Sequence, residues 1–135
     1  MTLERSLLAL CGGPIEVRDD DVPEDFGQAN ITVVFWNGAV LRAAYWRLIR
    51  DNYVISSFDH KQKYGLPAAI DAKQDMRSLL ENTILTEATL DRKSGDLHFA
   101  FADSATLEVF GFTAYEMWEI SFPDGSGEYS NYVRE

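Results

Sequence analysis

The chain has 135 residues and a mass of 15.3 kDa, the size of one ordinary domain. Its composition is 46% hydrophobic and 25% charged, with nine glycines and four prolines, which excludes a disordered, fibrous or linker-dominated chain. Twelve basic residues against twenty-two acidic ones give a net charge of −10; that charge repels nucleic-acid phosphates and anionic membranes and attracts a basic protein surface.

The longest apolar runs, such as Ile31–Trp36, fall far short of the roughly 20 residues that span a bilayer. Leu7–Leu10 behind Glu4 and Arg5 is too short and too charged for a signal peptide. Cys11, the single cysteine, excludes an intrachain disulfide. A cytoplasmic single domain covering residues 1–135 is therefore the expectation.

In chain order, a short helix comes first. Thr2 can cap it, Leu3, Leu7, Leu10 and Cys11 share a face, and Gly12-Gly13-Pro14 stops it. Ile15–Arg18 alternates as a brief strand, and Asp19, Asp20, Asp21, Glu24 and Asp25 then form an acidic loop. Ile31–Trp36 reads as a strand covered on both faces, turned by Asn37-Gly38 into a return strand from Val40 to Ile49. After Asp51-Asn52 a strand spans Tyr53–Phe58, and Asp59–Leu66 is a polar loop. The one long helix lies near residues 71–82, with Asp71 as its cap and Met76, Leu79 and Leu80 as its stripe. Strands return at Ile84–Leu90, Leu97–Phe101, Leu107–Phe110 and Tyr115–Phe122, with a last one over Glu128–Val133.

Phe35-Trp36-Asn37-Gly38-Ala39-Val40-Leu41 is echoed by Phe101-Ala102-Asp103-Ser104-Ala105-Thr106-Leu107, and each is followed by a Trp-x-(Leu/Ile) strand. The spacing from that leucine to the tryptophan differs, Leu41 to Trp46 against Leu107 to Trp118. The class is α+β with a mainly antiparallel sheet, arranged as a meander, a barrel-like sheet or duplicated three-strand units.

Chemistry is thinly marked. Asp59-His60 is the nearest thing to a catalytic pair, and His98, opposite the Leu97/Phe99/Phe101 row, is the other titratable candidate. Adjacent residues rarely aim their side chains at one another, and no nucleophile motif accompanies them. Residues 60 and 98 share no ligand spacing and there is no Cys cluster, so neither a metal nor a cofactor is expected. Asp124-Gly125-Ser126-Gly127-Glu128 fails as a calcium loop, because Ile120 and Phe122 would fall where oxygen ligands are needed. Alternation assigns Trp118 to the core. Trp36 and Trp46 are open to an interface role, with at least two of the three tryptophans expected inside.

Gly95-Asp96-Leu97-x-Phe99-x-Phe101, Leu107-Glu108-Val109-Phe110 and Tyr115-Glu116-x-Trp118-Glu119-Ile120, after Trp46-Arg47-Leu48, resemble a family of small uncharacterised bacterial proteins. The resemblance covers about residues 30–122 and rests on strand and turn residues, so it implies a fold and transfers no catalytic residue. A looser resemblance to immunity proteins implies neutralisation of a toxin domain.

The function expected from these observations is a non-enzymatic protein-interaction module, immunity-like, that inhibits a basic protein through Asp19, Asp20, Asp21, Glu24 and Asp25. The alternatives are a small-molecule-binding or hydrolytic domain using the Asp59–Lys63 loop with His98, and a homodimer built by sheet-edge pairing.

Overall fold

The computed structural model describes residues 2–18, 29–111 and 118–129. Among these residues two α-helices and ten strands run in the order α1 (Leu3–Leu8), β1 (Ile15–Arg18), β2 (Ile31–Phe35), β3 (Val40–Ala43), β4 (Trp46–Arg50), β5 (Tyr53–Ser56), α2 (Ala72–Leu80), β6 (Leu85–Asp91), β7 (Asp96–Phe101), β8 (Thr106–Val109), β9 (Trp118–Ser121) and β10 (Gly127–Tyr129). The architecture is α+β, with two antiparallel five-stranded sheets of order β1-β2-β3-β9-β10 and β5-β4-β8-β7-β6, not a closed barrel.

The expected return strand over Val40–Ile49 breaks at Ala44-Tyr45, and its halves β3 and β4 enter different sheets. The reason lies in parity. Leu41 and Ala43 are buried at odd positions, while Trp46 and Leu48 are buried at even ones. One regular strand cannot turn both pairs inward, so the chain bends between them and changes sheet. Leu107 and Val109 against Trp118 and Ile120 repeat the same parity shift in the second half.

The repeat is real, and larger than a three-strand unit. Each half of the chain is a helix, a three-stranded meander and a hairpin, and the hairpin of each half completes the sheet of the other. β3 pairs β9 with Leu41 opposite Ile120 and Ala43 opposite Trp118, and β8 pairs β4 with Leu107 opposite Leu48 and Val109 opposite Trp46. The buried indoles of Trp46 and Trp118 donate to the carbonyls of Ala29 and Gly95, at 2.8 and 2.7 Å. The meander turns also match. Phe35 N–H donates to Ala39 O and Phe101 N–H to Ala105 O, both at 2.9 Å, with Gly38 and Ser104 in the left-handed region. The helices are exchanged too: α1 lies against β6 and α2 against β1. Pro14 bridges Ile84 where the two units meet. The unequal Leu-to-Trp spacing falls on residues 112–117, outside the described residues.

Inward side chains of both sheets form one core, within which the Phe35 and Phe99 rings meet at 5.7 Å. Thr2 and Asp71 cap the helices as expected, accepting from Arg5 N–H and Gln74 N–H. No described helix is long and apolar enough to cross a membrane.

Candidate interaction surface

Loop 57–71 leaves β5 and returns to α2, and backbone bonds pin it. Lys61 N–H donates to Ile70 O at 2.8 Å and Ile70 N–H donates to Gln62 O at 2.9 Å. A 3-10 turn over Ser57–Asp59 opens it, capped by Ser56 and Asp59 in a reciprocal box. Asp59 carries two duties: Oδ2 accepts from Ser56 N–H at 2.9 Å and Oδ1 accepts from the Tyr64 hydroxyl at 3.1 Å. That bond raises the Tyr64 phenol above its ordinary value.

Between these anchors the backbone is strained. Lys61 and Tyr64 have φ of 68° and 46°, a region that side chains other than glycine rarely adopt, and Gly65 follows at 80°. The result is a presented apolar surface. Phe58, Tyr64 and Leu66 are 59%, 67% and 51% exposed, and on β5 Tyr53 and Val54 are exposed as well, on opposite faces of the strand. Phe58 stacks on Tyr45 with ring centroids 5.4 Å apart, and Tyr45 O accepts from Phe110 N–H at 3.0 Å. Arg47 lies 5.3 Å from the centre of the Phe110 ring and binds Glu108 at 2.8 Å. Aromatic rings and arginine are the residue types enriched at binding hot spots.

The residues singled out from the sequence fall as follows. His60 is buried, and its Nδ1 accepts the Ala72 N–H at 3.1 Å, so this imidazole closes the first turn of α2. Asp59, the other member of the candidate pair, accepts from Ser56 and Tyr64. His98 sits on the outer face of β7, 3.9 Å from the Glu108 carboxylate. Its setting is the Arg47–Glu108 pair of the second sheet, not the Asp59–Lys63 loop. An open cleft of about 750 Å³ between β1 and α2, and another of about 440 Å³ beside β10, are lined by none of Asp59, His60 and His98. Among the described residues no group of three His, Cys, Asp or Glu side chains could hold a metal ion. Asp19, Asp20, Asp21, Glu24 and Asp25 lie outside the described residues.

The aromatic surface is the feature that sequence reasoning missed. Part of its signal was present: Tyr64 and Leu66 are large apolar side chains in the mostly polar stretch Asp59–Leu66, where core burial gives them no account, whereas Phe58 read as the end of a strand. No protein-family model, curated protein or solved structure matches the chain.

Proposed function

We propose that this protein is a non-enzymatic interaction module that binds and neutralises a basic protein, in the manner of an immunity protein. The observation that carries the proposal is the pinned, strained loop that presents Phe58, Tyr64 and Leu66. Strain and exposed apolar area both cost stability, and a partner that covers the surface supplies a use for them. Charge supplies the partner's sign. Between positions 50 and 81 five basic residues balance five acidic ones, so the whole excess of −10 lies elsewhere on the chain. A basic protein is drawn in by that excess, with Asp19, Asp20, Asp21, Glu24 and Asp25 as its densest part, and docks on the neutral aromatic surface.

The small-molecule alternative draws less support. His60 spends its acceptor nitrogen on the helix, and His98 has Glu108 rather than the loop as its neighbour.

The test compares captures from a lysate of the source cell by the immobilised wild-type protein and a Phe58→Ala/Leu66→Ser variant of equal melting temperature. A basic protein held by the wild type, lost by the variant, and reproducing that difference when purified supports the proposal. Equal retention of the same proteins by both forms would refute it.

A further inference from the structure

Two exposed tyrosines, Tyr64 on the loop and Tyr53 on β5, share one chemical feature. Tyr64 donates its hydroxyl to Asp59 at 3.1 Å, and Tyr53 donates its hydroxyl to Asp75 at 3.4 Å. Each pair sets an open aromatic face beside an anionic oxygen. A phenol that donates to a carboxylate has a more electron-rich ring, which strengthens its attraction for a cation above it.

Guanidinium is the cation that fits both parts. It is flat, it stacks on rings, and it offers N–H groups in the plane of a carboxylate, whereas lysine is a compact point charge. This chain already contains one such arrangement, in which Arg47 spans the Phe110 ring and the Glu108 carboxylate. The balanced charge of the segment weakens indiscriminate attraction for polycations, which leaves discrimination to shape and stacking.

We infer that the Tyr64–Asp59 and Tyr53–Asp75 pairs read arginine side chains on the basic partner. The inference rests on the docking surface proposed above and adds the identity of the groups that it recognises.

The full-length protein is titrated with labelled hexa-arginine and hexa-lysine peptides at physiological ionic strength. Hexa-arginine is expected to bind about fivefold tighter, the size of one or two exposed cation–π contacts. Tyr53→Leu with Tyr64→Leu should abolish that preference at unchanged melting temperature. Tyr64→Phe, which keeps the ring, should retain part of it, and Asp124→Asn, remote in sequence, should leave it intact. Equal affinity for the two peptides, or a preference that survives the double leucine variant, overturns the inference and leaves the docking surface standing. Peptide and partner binding both indifferent to Phe58→Ala overturn the docking surface itself.

Discussion

Trp36 is the one tryptophan that the core does not enclose. Trp46 and Trp118 are 0% and 2% exposed, while Trp36 is 55% exposed, with its indole donating to Leu10 O at 3.0 Å. Its ring lies on Gly13, where an added Cβ would come 2.1 Å from Trp36 Cγ. Gly13→Ala should therefore cost about 1–3 kcal/mol in chemical denaturation, as overpacked sites do. In Gly13→Ala/Trp36→Ala the clash with the indole is gone and only the 2.7 Å approach to the Trp36 Cβ remains, so the two costs should fall short of adding. Trp118→Ala removes a buried ring and a buried donor, and should cost about 3–5 kcal/mol. Near-native stability of that variant would place Trp118 outside the core. At Cys11, burial first and the Glu87 charge second push the thiol upward. Alkylation by iodoacetamide should be slower than for free cysteine at neutral pH. Because the folded state favours the thiol form, stability should decline as pH rises through the range where an unfolded cysteine ionises.

At the level of elements, much of the fold was legible in local pattern, and the exchange of strands was not. Alternation located β7, with Leu97, Phe99 and Phe101 inward, and Asn37-Gly38 marked the β2–β3 turn. Thr2 and Asp71 were readable as caps because a short polar side chain before an apolar stripe has a local partner to satisfy. Which sheet a strand joins depends on partners far away in sequence. β4 pairs β8 across the chain, and only the parity shift between Ala43 and Trp46 hinted that β3 and β4 part company. The site was less legible than the fold. Asp59, His60 and His98 stood out by residue type, yet what each does is set by Tyr64, Ala72 and Glu108, whose positions are tertiary facts. His60 yields an element-scale prediction. His60→Ala leaves the buried Ala72 N–H without its acceptor, and should cost about 1–3 kcal/mol and fray the start of α2. Amide exchange over residues 72–75 that matches the wild type would contradict the capping role.

For the whole molecule, the two halves share each sheet, so the loop of residues 57–71 is braced by strands from both ends of the chain. Ser57 Oγ accepts the Trp46 N–H at 3.2 Å, and Trp46 sits opposite Val109. That bracing lets one loop be both strained and fixed, and so present rings at low entropic cost on binding. Charge acts at longer range. Asp19, Asp20 and Asp21 changed together to Asn should slow association with the proposed basic partner and flatten its salt dependence, with stability equal or slightly higher because like charges are fewer. An association rate indifferent to both changes would remove the steering role. The proposed docking surface is tested most directly by hydrogen–deuterium exchange of the full chain, alone and with a basic protein captured as proposed above. Slowed exchange over residues 53–66 is the predicted result. Protection confined to the β9–β10 hairpin or the β1–α2 cleft, with residues 53–66 unchanged, would contradict it.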